Sequence, residues 1–290
     1  MNSSLLHLSD DQYNYINGSL DNYYRTDRAI NAQLTNILNV DLWKYVAFNS
    51  QLTASYNNTK KNLFEPSTIR TSGLSRARYD YDERLAFTGE NYLSFSGDIA
   101  EHHNLNALLG TSYEYSRMEG LYAEATGGSS DIIKTINGFK KEDIFGFSDI
   151  SENSMLSFWA RAGYRFKERY QIDINYRRDA SSRFGQNMRW ANFPSMGIFW
   201  ILNEEPFMKG TEDWLTFAKL KFSIGKNGKQ FTDNYLRYNM YRTGYDGFSN
   251  MSRGAMNTST YNGVSAVIPD FSKLADDNLS WETSVQSDFG

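Results

Sequence analysis

Cysteine is absent from the 290 residues, and there are only 4 prolines and 3 histidines. Without cysteine the chain has no disulfide bond, no thiolate nucleophile and no cysteine-bound metal centre. The formal net charge of −4 gives no electrostatic reason to expect a nucleic-acid partner. Long apolar runs are missing too, because none approaches the roughly 20 residues that a membrane-spanning helix requires.

Aromatic residues are abundant by contrast. The sequence contains 20 Tyr and 19 Phe, and aromatics make up 16% of it, yet its mean hydropathy is −0.60. These values fit a helical membrane protein poorly. They are typical of an outer-membrane β-barrel, in which half of each strand faces water and the loops are polar.

Apolar and polar side chains alternate strictly through residues 156–166. Leu156, Phe158 and Tyr164 stand at even positions, whereas Arg161 and Arg165 stand at odd positions. After a break at 167–169 the alternation resumes up to residue 176. Because successive side chains of a strand point to opposite faces, the pattern predicts a sheet with one apolar and one charged face. Two strands of about ten residues joined by a short turn fit a membrane-spanning hairpin.

Seven further segments alternate in the same way: 29–40, 45–56, 85–99, 105–115, 196–202, 220–224 and 281–290. The connections alternate between short ones (41–44, 100–104, 167–169, 204–213) and long ones (57–84, 118–154, 179–193, 226–280). Short turns at one end and long loops at the other are the layout of an outer-membrane barrel. The prediction is therefore an all-β fold, an antiparallel up-and-down transmembrane β-barrel fragment of about nine strands.

Several motifs resemble catalytic or metal sites but lack the required spacing. Glu101-His102-His103 has no third ligand nearby, and Gly225-Lys226-Asn227-Gly228-Lys229 lacks the spacing of a phosphate-binding loop. Paired acids suited to glycoside hydrolysis must face each other across a cleft, whereas here they are adjacent in sequence, at Asp10-Asp11, Glu204-Glu205 and Asp276-Asp277. We therefore expect no enzyme, no catalytic residue, no metal site and no cofactor.

One stretch resembles a known family. It reads Arg177-Arg178-Asp179-Ala180-Ser181-Ser182-Arg183-Phe184-Gly185, then Arg189-Trp190, Phe193-Pro194-Ser195, Trp200 and Glu204-Glu205-Pro206-Phe207. It is similar to the R-R-D-G-S-S-R-F-G, N-R-W, F-P-S and W-x-I-S-E-E-P-F segments of SusC/RagA-type TonB-dependent outer-membrane transporters of the Bacteroidetes. The segments at 103–110, 220–230 and 277–282 resemble further family strands in the same order. Ala180 replaces the usual Gly, and Leu202-Asn203 replaces Ile-Ser.

The resemblance implies the outer membrane of a Gram-negative bacterium and a barrel of about 22 strands closed by a plug domain. It also implies a SusD-like surface lipoprotein and the TonB complex as partners, and import of a glycan or peptide. Residues 1–290 would form a partial barrel domain, with the plug domain and the closing C-terminal strands absent. Outer-membrane lipids would cover its apolar face.

Candidate site residues fall into two groups. Tyr235, Tyr238, Tyr241, Tyr245 and Phe248 lie in an aromatic-rich predicted loop, where rings could stack on a ligand or pack the loop. Arg161, Arg165 and Arg177 stand on the charged face of adjacent strands and are candidates for lining the lumen or contacting the plug. Two other functions stay open at this point: a soluble β-rich carbohydrate-binding module, and a siderophore-type TonB-dependent receptor.

Overall fold

A computed structural model describes residues 22–211, 213–239, 241–243, 260–261, 264–265, 267–269, 275–276 and 278–290. In this part of the chain nine antiparallel strands form one sheet, as predicted. The first eight strands lie side by side in chain order, and the ninth strand of the sheet, β13, pairs with β8. The strands are β1 (Tyr24–Trp43), β2 (Val46–Glu65), β3 (Arg76–Ala100), β4 (His103–Thr126), β5 (Ile144–Phe166), β6 (Tyr170–Ser181), β7 (Trp190–Ile201), β8 (Lys219–Lys229) and β13 (Glu282–Phe289).

Short elements fill the connections. β9 (Tyr241–Thr243) pairs with β12 (Val267–Pro269), and β10 (Thr260–Tyr261) pairs with β11 (Val264–Ser265). The described 3₁₀ helices are Ser67–Ile69, Ile136–Gly138, Lys141–Asp143, Leu202–Glu204 and Pro206–Thr211. None of the helices in the described residues has the length and apolarity needed to span a membrane.

The strands extend well past their alternating segments. β3 has 25 residues and β4 has 24, whereas the alternating pattern predicted shorter strands at 85–99 and 105–115. The long connections are correspondingly shorter than predicted, at 66–75, 127–143 and 182–189. The fourth short connection is longer than predicted, because β7 and β8 are joined by residues 202–218 rather than 204–213. Its 3₁₀ turns lengthen it without breaking the order of the sheet.

The β5–β6 hairpin has the predicted three-residue turn at 167–169. Arg161 pairs with Asn175, Arg165 with Gln171, and Phe166 closes the ladder against Tyr170. The turn places Lys167 at φ 51 and Glu168 at φ 59, and Arg169 N donates to Phe166 O at 3.0 Å. Two left-handed residues in succession match the twist of the flanking strands, as in a type I′ hairpin turn.

Residues 34–54, 87–116 and 152–290 form one of two compact units. One face of its sheet, here called the apolar face, carries exposed aliphatic and aromatic side chains such as Leu34 (74% exposed) and Ile174 (49%). The same exposure recurs at Leu52, Leu93, Leu109, Phe158, Ile198 and Phe222. The opposite polar face carries the arginines and acids of the odd positions in β5 and β6. A water-soluble sandwich would bury such an apolar face against a second layer.

Residues 1–33, 55–86 and 117–151 form the other unit, described from residue 22. Its core is small: Phe64, Ala77 and Ala125 are fully buried, and Phe139 from the 127–143 connection packs on them. Asp131 of the same connection accepts hydrogen bonds from Ser67 N at 2.9 Å and Ser67 Oγ at 2.7 Å. The strand extensions in this unit therefore have a core of their own.

Candidate functional site

Two of the predicted arginines line one groove on the polar face. Arg161 and Arg165 border a groove of about 310 Å³ together with Asp173, Gln171 and Asn106. Arg165 is paired with Glu168 of the hairpin turn at 3.0 Å. Arg161 makes no ion pair with any residue that the structure describes. An exposed guanidinium beside carboxylate and amide groups is suited to a polar or acidic partner.

The third arginine is committed to its own strand. Arg177 Nε donates to both carboxylate oxygens of Asp179, at 2.7 and 3.0 Å, and its Nη2 donates to Ser157 Oγ at 2.9 Å. Asp179 and Ser157 are buried. Arg177 therefore satisfies buried polar groups within the wall, a role that the sequence alone did not indicate.

An aromatic pair spans three strands near these arginines. The Trp159 ring of β5 lies 5.5 Å from the Tyr92 ring of β3 and passes over Gly110 of β4. A Cβ at Gly110 would stand 2.5 Å from Trp159 Cζ2 and 2.7 Å from Tyr92 Cβ, so only glycine fits beneath the ring. Trp159 Nε1 is buried without a hydrogen-bond partner in the described part of the chain.

The family-like stretch forms what we call the loop anchor: Ser181, Arg183, Phe184 and Trp281. Phe184 is fully buried and its ring lies 4.8 Å from that of Trp281. Arg183 donates to Phe231 O and Asn234 Oδ1, and Ser181 Oγ donates to Gln230 Oε1 at 2.9 Å. Trp281 Nε1 donates to Arg189 O at 3.0 Å. The anchor thus holds both ends of the 230–281 connection.

The predicted loop aromatics have different environments. Tyr235 is half-buried, and its hydroxyl accepts a hydrogen bond from Glu152 N at 2.7 Å, so it holds the loop to β5. Tyr238 is 47% exposed, and the guanidinium of Arg237 lies 4.2 Å from its ring centre. Tyr241 begins β9, whereas Tyr245 and Phe248 lie outside the described residues. Tyr238 is thus the described aromatic of this group that presents a ring to solvent.

The Glu-Glu-Pro-Phe motif holds the β7–β8 connection. Glu205 is buried and accepts hydrogen bonds from Tyr170 Oη at 2.5 Å and Trp200 Nε1 at 3.0 Å. Arg169 Nη1 lies 3.6 Å from Glu205 Oε2. The hydrogen bonds from Tyr170 and Trp200, with the positive charge of Arg169, hold the pKa of Glu205 below its ordinary value. The motif was visible in the sequence, but its partners were not.

No group of three or more His, Asp or Glu side chains in the described residues is arranged to hold a metal ion. Of the described histidines, His102 lies in the turn between β3 and β4, and His103 is the first residue of β4. His103 Nδ1 lies 2.6 Å from Tyr164 Oη and so takes part in a side-chain pair across strands.

No family model matches the chain. Curated relatives do match it. The TonB-dependent receptor P39 of Formosa agariphila is 28% identical over 276 residues, covering 91% of this chain and 24% of the relative. The TonB-dependent receptor P3 of the same organism is 30% identical over 249 residues, covering 84% of this chain and 23% of the relative. The TonB-dependent receptor SusC of Bacteroides thetaiotaomicron is 27% identical over 159 residues, covering 49% and 16%.

Among solved structures, the RagAB peptide transporter matches with a TM-score of 0.79 at 22% identity, covering 93% of this chain and 28% of that one. At that identity the match establishes the fold alone, and it places the nine-stranded sheet among barrel walls. The chain spans about a quarter of the length of the first curated relatives it matches.

Proposed function

Because the chain is a SusC/RagA-like TonB-dependent outer-membrane protein, we propose that it forms part of the barrel wall of a receptor that imports nutrients. The observation that carries the proposal is a single sheet with one exposed apolar face and one charged face. Lipid on one side and an aqueous lumen on the other satisfy both faces at once. The relatives matched by sequence are named as receptors of this type.

The proposed receptor contains a plug domain that docks on the polar face. Arg161 is the strongest candidate contact, because it is exposed in the groove and makes no ion pair with a described residue. Arg165 is a weaker candidate because Glu168 already pairs with it, and Arg177 serves the wall itself.

A SusD-like lipoprotein is the proposed partner at the loop end, and the TonB complex the proposed source of energy. The substrate is an oligosaccharide or a peptide. The matched structure is described as a peptide transporter, which favours the peptide. Tyr238, with Arg237 beside its ring, is the described side chain best placed to stack on either ligand.

A growth assay tests the import proposal. A strain lacking the complete receptor is complemented with wild-type or variant receptor and grown on a peptide mixture or an oligosaccharide mixture as the limiting nutrient. We expect receptor-dependent growth on one of the two that disappears when tonB is deleted. Y238A should slow this growth, and Y238F, which keeps the ring, should not. Equal growth with and without TonB would contradict the proposal.

The plug contact has a separate readout. R161E should loosen the plug and admit large antibiotics such as vancomycin, which an intact outer membrane excludes. R161K, which keeps the charge, is the matched control and should stay resistant. Resistance of the R161E strain at normal receptor abundance would remove Arg161 from the plug interface.

A further inference from the structure

A row of aromatic rings crosses the apolar face at the end that carries the short turns. Ring centres are separated by 4.8 Å between His103 and Phe166, 6.2 Å between Phe166 and Tyr170, and 6.3 Å between Tyr170 and Trp200. The polar atoms of the row are already engaged, since Tyr170 Oη and Trp200 Nε1 both donate to Glu205. Short turns lie on the periplasmic side of outer-membrane barrels, so the row marks the periplasmic lipid interface.

The rings border an open groove of about 550 Å³. Its lining is almost wholly apolar and consists of His103, Tyr164, Phe166, Tyr170, Gln171, Ile172, Ile198, Phe199 and Trp200. The groove runs beside Ile172 and Ile198 of neighbouring strands, which are paired in the ladder. A hydrocarbon chain lying along it would cover apolar rings that are otherwise exposed.

A cation stands at the rim of this groove. Lys167 Nζ lies 5.3 Å from the centre of the Phe166 ring, and no carboxylate in the described residues lies within ion-pair distance of it. Its neighbours are neutralised, because Arg165 pairs with Glu168 and Arg169 with Glu205. Lys167 is therefore the cation of this turn that has no ion pair within the described residues.

The β1–β2 turn repeats the arrangement. Lys44 Nζ lies 4.8 Å from the centre of the Tyr45 ring, and that ring lies 6.1 Å from the ring of Phe95. Two short turns thus each place a lysine over an aromatic ring. An apolar groove with a cation at its rim is complementary to an amphiphile with a negative headgroup.

We propose that this groove binds an anionic phospholipid of the periplasmic leaflet, with an acyl chain along the rings and its phosphate at Lys167. The site rests on the outer-membrane location of the chain and is independent of nutrient import. The aromatic row contacts the acyl chain of the lipid, while Lys167 favours a headgroup with a negative charge.

Native mass spectrometry of the complete detergent-purified receptor tests the site. Phosphatidylglycerol and phosphatidylcholine with identical acyl chains are titrated, and the affinity of the first bound lipid is compared. We expect wild-type receptor to prefer phosphatidylglycerol, and K167Q to weaken its binding about fivefold without affecting phosphatidylcholine. K167R keeps the charge and should keep the preference.

The matched control is K221Q. Lys221 occupies an odd position of β8 on the polar face, pairs with Asp288 at 3.1 Å and is not among the residues that border the groove. Its replacement should leave lipid binding unchanged. Equal affinity of the wild type for both lipids, or equal effects of K167Q and K221Q, would overturn the proposal. Complete displacement of the lipid by glycerol phosphate would also overturn it, because the groove would then contribute nothing.

Discussion

Replacing Gly110 by alanine tests how tightly the polar face is packed around Trp159. The added Cβ would stand 2.5 Å from Trp159 Cζ2, well inside van der Waals contact, so the indole must shift off Tyr92. Overpacking of this kind costs about 1–3 kcal/mol. The change to alanine also raises the free energy of unfolding by about 0.5–1 kcal/mol, because alanine restricts the unfolded chain more than glycine does. We therefore expect a net loss of about 0.5–2 kcal/mol in the free energy of unfolding.

The assay is equilibrium urea unfolding of the receptor refolded in detergent, followed by tryptophan fluorescence. G210A is the matched control, since a Cβ at Gly210 would meet no heavy atom within 4 Å. W159A should remove most of the penalty at Gly110, so the double variant should be more stable than the sum of the two single losses predicts. Strict additivity of G110A and W159A, or no loss in G110A, would refute the reasoning.

Three further variants test the anchors of the wall. F184A removes a fully buried ring from the loop anchor, and we expect a loss of about 3–5 kcal/mol with faster trypsin cleavage of the 230–281 connection. R177A leaves the buried Asp179 carboxylate without its guanidinium, which should cost about 1–3 kcal/mol in urea unfolding and be only partly restored by R177K. E205Q should lower the thermal midpoint at pH 7. Because the pKa of Glu205 is depressed in the folded protein, its stabilising effect is present above the ordinary carboxyl range and lost as pH falls through the folded value.

Each of these three predictions has an outcome that would contradict it. An F184A receptor with wild-type protease resistance would show that the loop is held elsewhere. Wild-type stability of R177K would mean that a positive charge at position 177 is sufficient and that the hydrogen-bonding geometry of the guanidinium is not required. For E205Q, the difference in thermal midpoint from the wild type must become smaller between pH 7 and pH 3. A constant difference would show that ionisation of Glu205 does not contribute to the pH dependence of stability.

The two faces of the sheet could be predicted from the sequence because alternation is a local property. Phe158 and Ile174 are exposed on the apolar face, while Arg161 stands on the other, as the period-two pattern requires. The strand ends could not be predicted in this way. β3 continues through polar residues to Arg76, because the backbone ladder persists wherever a neighbouring strand accepts its hydrogen bonds.

The candidate site was less predictable for a related reason. From composition, Tyr235 is one of several loop aromatics that could stack on a ligand or pack the loop, and in the structure its hydroxyl accepts a hydrogen bond from Glu152 N, 83 positions away in sequence. The partner of Trp281 could not be predicted for the same reason, because its N–H donates to Arg189 O, 92 positions away in sequence. Composition can indicate that a loop is rich in rings, but only the fold separates rings that hold the loop from rings that face solvent.

The loop anchor has a consequence for the length of the connection that it holds. Because Arg183 secures residues 231 and 234 while Phe184 secures Trp281, the chain enters and leaves the connection at positions fixed by one short motif. Doubling the length of the segment between them adds only about 0.6 kcal/mol of closure entropy. The length and composition of this segment can therefore change at a small cost in stability while the wall beneath it stays the same.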